Sequence, residues 1–160
     1  MNRLHILIGA APRSLTDAAL VVLRMTLGAV FLAHGWDAHR MGLGTVVAMQ
    51  RSIGIPLPEV SGPVMVYVEL IGGALLVFGA LTRLIAVALV GIMIGAWIFV
   101  HAAHGIFVEN GGYELVMVLA VASALLAVAG PGRFSVDHLL VERVRQTDAS
   151  QAHDAVGGRA

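Results

Sequence analysis

Apolar residues in this chain come in four long runs rather than at the spacing of a half-wetted helix or strand. The runs cover about 15–36, 60–81, 84–104 and 113–130. A bilayer core about 30 Å thick is crossed by ~20 mostly apolar residues rising 1.5 Å each, and each run approaches that length. Within the third run the 17 residues 84–100 carry no charge, whereas a helix with one face in water needs polar side chains every three or four positions. Lipid offers no partner to a bare peptide group, so such runs must be helical. The pattern predicts an all-α membrane protein, a four-transmembrane-helix bundle over residues 15–130.

The connections refine this picture. Thr82-Arg83 joins the second and third runs so tightly that those helices must be antiparallel neighbours. The longest loop, residues 37–59, contains Gly42, Gly44, Gly54, Pro56 and Pro58 around a segment near 45–52 that predicts a short interfacial helix. Residues 1–14 hold a short apolar stretch followed by Arg13 and Asp17 without a small-residue cleavage site, which predicts an uncleaved interfacial segment. Residues 131–160 read as a tail, mildly helical over 137–145 and disordered after about 146.

Four spans would put both termini and the Thr82-Arg83 turn on one side, with Arg3, Arg13, Arg83, Arg133, Arg143, Arg145 and Arg159. The opposite side has Arg40 and Arg51. Seven against two is a positive-inside bias that predicts cytoplasmic termini.

Composition agrees and removes several functions. The chain is 58% apolar and 12% charged, about half the charge of an average soluble domain. Ten arginines, no lysine and ten carboxylates give zero net charge, so nucleic acid is excluded as a partner for want of a basic excess. The absence of cysteine removes disulfides, thiolate catalysis, iron–sulfur ligation and cysteine zinc sites.

Ionisable groups inside a span cost on the order of 3 kcal/mol each and need a reason. Arg24 and Glu69 are expected near the midplane, where they could form an ion pair between adjacent helices, as a substrate-binding or proton-relaying centre or as a structural pair that sets register. Phe31 and His34 fall on the Arg24 face, which predicts that Arg24 and His34 share one cavity. Gly72 and Gly73 flank Glu69 and permit close helix approach. Trp97, His101 and His104 form a stripe at the outer end of the third span, level with Tyr113 and Glu114 at the start of the fourth. Clustered imidazoles can ligate haem iron, hydrogen-bond a quinone or pass protons, and histidine and tryptophan also favour the headgroup region without any chemistry. His101 and His104 alone do not make a metal site. Gly91 and Gly95 form a small-residue seam suited to contact with a second copy.

The sequence Phe31-Leu32-Ala33-His34-Gly35-Trp36, Glu69 followed by Ile71-Gly72-Gly73, Gly79, Thr82-Arg83, His101 with Gly105-Ile106-Phe107, Asn110-Gly111-Gly112-Tyr113-Glu114, and Gly130-Pro131-Gly132-Arg133 with Ser135 and Asp137 resembles the DoxX family of small bacterial membrane proteins. The resemblance covers about residues 20–140 and implies four membrane helices and a link to membrane redox assemblies. The related DoxD type is a subunit of an archaeal thiosulfate:quinone oxidoreductase, and other members are implicated in assemblies with superoxide dismutase and a sulfurtransferase. Family members often carry a lysine shortly after the His-Gly pair, where this chain has Ala38-His39-Arg40.

Two functions follow as expectations. In the first, the chain is a non-autonomous subunit of a quinone-linked oxidoreductase, with Arg24, His34, Glu69, His101 and Glu114 lining an outward-facing pocket for a quinone or small sulfur oxyanion. Arg24, Phe31, His34, Trp97 and His101 would then contact the cofactor, a quinone with haem as the minor alternative. Its partners would be the lipid bilayer, further copies of itself, or other membrane or soluble redox proteins. In the second, it is a non-enzymatic small-solute permease or a scaffold that recruits soluble enzymes.

Overall fold

A computed structural model describes residues 11–157, so the segment expected over 1–14 lies mostly outside the described residues. Among those residues the chain is helical without strands: α1 (Arg13–Met41), α2 (Leu43–Ser52), α3 (Pro58–Phe78), α4 (Thr82–His104), α5 (Glu114–Ala129) and α6 (Val136–Gly157). A single 3-10 turn, Val108–Asn110, interrupts the loop before α5. α1, α3 and α4 are long and apolar enough to cross a membrane. α5 is equally apolar but has 16 residues, about 24 Å of helix against a 30 Å core. The architecture is thus three candidate spans and a shorter apolar helix.

The expected antiparallel pair is built from local rules. α3 ends on Gly79 at φ 71°, and the Gly79 and Ala80 N–H groups return to the Leu76 and Leu75 carbonyls at 3.0 and 2.9 Å. This left-handed glycine cap closes the helix and turns the chain directly into α4. The short helix expected near 45–52 forms as α2, packing Val46 against Ala38 and Val66 in a small second core.

Glycine sets the crossing of α1 and α3. A Cβ on Gly28 would lie 2.7 Å from the Gly73 carbonyl oxygen, and one on Gly73 would lie 2.5 Å from the Leu32 nitrogen. Seven residues beyond Gly28, a Cβ on Gly35 would fall among backbone atoms of Glu69 and Leu70. The two backbones touch because no side chain stands between them, the usual device where lipid supplies no hydrophobic drive for association. The main core is Leu27, Phe31 and Leu76 with Ala86, Leu89 and Met93 of α4 and Leu126 of α5. Large apolar side chains such as Val22, Phe78, Leu84 and Val128 point outward, as they must when the surrounding medium is lipid.

α6 runs on to Gly157, beyond residue 146 where composition predicts disorder. From Val144 to Val156 neither proline nor glycine occurs, so nothing in the chain interrupts the backbone ladder before Gly157.

Candidate functional site

At the end of the bundle where α3 turns into α4, four segments are tied together by polar contacts. Arg24, 3% exposed, donates to the Pro131 and Phe134 carbonyls, both at 2.8 Å. Its guanidinium lies against Gly79, where a Cβ would displace it. Asp137 accepts the Leu81 and Thr82 N–H groups at 2.8 and 2.9 Å, capping α4 from the start of α6, and its own N–H donates to the Gly79 carbonyl at 2.9 Å. Asp17 accepts the Arg133 N–H at 3.3 Å. Ser135 caps α6 by accepting the His138 N–H at 3.1 Å and donates to the Gly132 carbonyl at 2.7 Å.

This network corrects the expected midplane ion pair. Arg24 lies beside Gly79, whereas Glu69 lies beside Gly35. Those levels are 11 residues apart on α1, about 16 Å along its axis. A helical side chain leans toward the helix N-terminus, and the long arginine stem carries its charge further that way, to carbonyls at the bundle end. Among the described residues the ion pairs are Arg51–Glu59 and His138–Glu142, both on exposed or half-exposed surface.

Nor does His34 share a cavity with Arg24. The α1 stripe that turns inward is Arg24, Leu27, Gly28, Phe31, Gly35 and Ala38. His34 is one position, 100° of helix, away from Gly35 and is exposed. Phe31, 1% exposed, is a core side chain.

Glu69 occupies a different environment. It is 6% exposed in a π-helical turn, Val68–Gly72, within α3, and among the described residues neither a hydrogen bond nor an ion pair reaches its carboxyl group. The wider π turn displaces the backbone from the α-helical ladder and re-aims the side chains that follow, a distortion frequent at functional positions. On the outer face of the same turn runs an apolar groove of about 400 Å³ lined by Pro63, Tyr67, Val68, Ile71, Gly72 and Ile85.

A second π turn, Trp97–His101, lies in α4 just before its closing 3-10 turn, Ala102–His104. Trp97 stacks on Tyr113 with ring centroids 5.4 Å apart. His101 Nδ1 lies 2.6 Å from the Gly111 carbonyl and His104 Nδ1 3.0 Å from that of Val100. A carbonyl only accepts, so each histidine donates from Nδ1 and a neutral ring leaves Nε2 unprotonated. Glu114 accepts the Val108 N–H at 2.7 Å. Trp97, His101 and Glu114 are therefore brought together as the clasp of the loop between α4 and α5. Among the described residues no three of His, Asp and Glu are grouped to hold a metal ion.

The sequence singled out neither Asp17 nor Asp137 as acceptors for backbone N–H groups, because their partners are far away in the chain. It also passed over Thr82 and Ser123, whose hydroxyls are buried without partners, and Gln50, buried and accepting the Ser61 hydroxyl at 2.7 Å.

Comparison with known proteins places these features in context. The family model described as DoxX matches residues 19–102. YqjF, named as an inner membrane protein of Escherichia coli, is 27% identical over 80% of this chain and 96% of its own length. CatD of Bacillus subtilis, named as a proposed oxidoreductase, is 32% identical over 76% of this chain and 86% of its own. An uncharacterized protein of Haemophilus influenzae is 30% identical over 78% of this chain and 85% of its own. No solved structure matches.

Proposed function

The chain belongs to the DoxX family of membrane proteins, and on that premise we propose that it is an inner-membrane subunit of a quinone-linked oxidoreductase assembly. Membership, the long apolar helices and relatives named as inner membrane proteins make it a protein of the bacterial inner membrane. The name of CatD supports the redox link. The proposal adds α5 as a fourth span and puts both termini in the cytoplasm, on the strength of the arginine count.

Glu69 carries the reading. Glu69 is a buried residue whose carboxyl group has no partner among the described residues, which is costly unless a ligand supplies one, and the apolar groove on the outer face of the same turn suits a hydrophobic ring and chain. A bound quinone would supply two-electron chemistry. In the groove Val68, Ile71 and Ile85 would keep water from the ring, and Glu69, on the inward side of the same turn, would in its protonated form donate a hydrogen bond to a quinone oxygen and exchange a proton there. His101, with Nε2 unprotonated in the neutral ring, and Glu114 serve proton exchange at the outer end. Arg24 secures the opposite end and takes no part in the chemistry. Electrons come from a partner, since the chain has no cysteine, flavin motif or dinucleotide fingerprint. Gly91 and Gly95, whose added Cβ atoms would meet nothing within 4 Å, form the contact with a second copy.

The test is quinone extracted from protein purified in mild detergent, with rebinding of an added quinone read by tryptophan quenching. Glu69→Leu, which cannot hydrogen-bond, should bind about five-fold more weakly, the worth of one neutral hydrogen bond, with unchanged or higher stability. Quinone-free wild type that fails to rebind, or a variant that binds equally well, would overturn the reading. The length of α6 favours the scaffold alternative, in which deletion beyond Arg145 abolishes recruitment of soluble enzymes.

A further inference from the structure

An open cleft of about 740 Å³ lies where α4 begins, α5 ends and α6 crosses them. Its lining is mixed: Arg83, Arg133 and Arg145 stand together with Leu84, Leu140 and Val141. The two carboxylates in its lining are engaged by backbone: Asp137 binds the Leu81 and Thr82 N–H groups, and Asp17 binds the Arg133 N–H. Among the described residues none of the three arginines has a carboxylate partner, and Arg83 makes one long contact, 3.4 Å, to the Val128 carbonyl. Thr82, fully buried at the same helix start, has a hydroxyl without a partner.

We propose that this cleft binds an anionic phospholipid, with the phosphate held by Arg83, Arg133 and Arg145 and the acyl chains laid against Leu84, Leu140 and Val141. Charge favours a phosphate, and several arginine donors suit its oxygens better than a single point charge would. The apolar part of the lining favours a lipid over free phosphate. Leu84 and Leu140 are 65% and 55% exposed, a surface that dissolved phosphate leaves in water and acyl chains cover. Basic pockets between membrane helices on the cytoplasmic side are suited to such headgroups. The site also gives α6 a purpose: by supplying Arg145, Leu140 and Val141, it seats the headgroup against the bundle. The physiological side of the cleft rests on the orientation proposed above.

The experiment is native mass spectrometry of the full chain in detergent, mixed in turn with phosphatidylglycerol, phosphatidylcholine and inorganic phosphate. Phosphatidylglycerol should be retained over phosphatidylcholine, and Arg133→Gln and Arg145→Gln should each weaken its retention about five-fold. Both side chains are exposed, so circular dichroism and melting should match the wild type. Equal retention of the two lipids, a preference that survives the double substitution, or displacement of the lipid by millimolar phosphate would overturn the proposal. Binding in detergent is indifferent to which side of a membrane the cleft faces, so a wrong orientation would not imitate a missing site.

Discussion

Gly35→Ala puts one methyl group where α1 and α3 have no room. The new Cβ would lie 2.7 Å from Leu70 Cα and 2.8 Å from the Glu69 carbonyl carbon, and closer still to the Leu70 nitrogen. Ordinary contact begins near 3.4 Å, so α3 must retreat by 0.7 Å from the α-carbon alone. The obstructing atoms are backbone, with no rotamer to absorb the strain. Moving them loosens the glycine contacts at Gly28 and Gly73 and the packing of Phe31 against Leu76. Overpacking of a tight core costs about 1–3 kcal/mol, and a rigid neighbour places this substitution near the upper value, a roughly 150-fold shift in the folding equilibrium. Unfolding in mixed micelles with increasing denaturing detergent measures it. Gly44→Ala, in α2, is the control: its Cβ would meet nothing within 4 Å, and alanine is the better helix former by about 1 kcal/mol. If Gly35→Ala proved as stable as Gly44→Ala, the two helices could not be in backbone contact at that level, and the placement of Glu69 would fall with it.

Other predictions address the polar knot and the topology. Asp137→Ala removes the cap on α4 and should cost about 1–2 kcal/mol, with faster hydrogen exchange at the Leu81 and Thr82 amides; unchanged exchange would refute the cap. Arg24→Gln removes two charged hydrogen bonds to buried carbonyls, worth about 3 kcal/mol together. It should speed tryptic cleavage after Arg133, and a cleavage rate equal to wild type would mean that Arg24 does not hold that turn. A reporter fused after Arg145 should be cytoplasmic, and periplasmic labelling there would reverse the orientation.

The helices were legible because lipid imposes a simple rule on length and polarity. Runs expected over 60–81, 84–104 and 113–130 form as Pro58–Phe78, Thr82–His104 and Glu114–Ala129. Boundaries moved where local turn chemistry acted, as at Gly79, which ends α3 before the apolar run itself ends. Side-chain destinations were harder to read. The expected depth of Arg24 followed its Cα, whereas its charge sits several ångströms away on carbonyls 107 and 110 residues later in the chain. His34 looked like a companion of Arg24 because 100° spacing defines a face without saying which face turns inward. The motifs carrying the family resemblance, Gly35, Gly79, Pro131 and Asp137 among them, serve close packing and capping in this structure. Glu69 stood out in the sequence as an acid within a span, and its isolation from Arg24 became visible once the helices were assembled.

The contacts of Arg24 also bear on how the protein is made. The arginine leaves the ribosome more than a hundred residues before Phe134, its last acceptor. At ~5–20 residues per second that gap is on the order of 5–20 s. During that interval a charged side chain is in the membrane without its final partners, so Arg24 is satisfied only after the chain has been made through Phe134. A product truncated ahead of Phe134 would carry every residue of the apolar core and still expose an unsatisfied guanidinium. The Pro131–Phe134 turn is thus where a late part of the chain closes on the first helix.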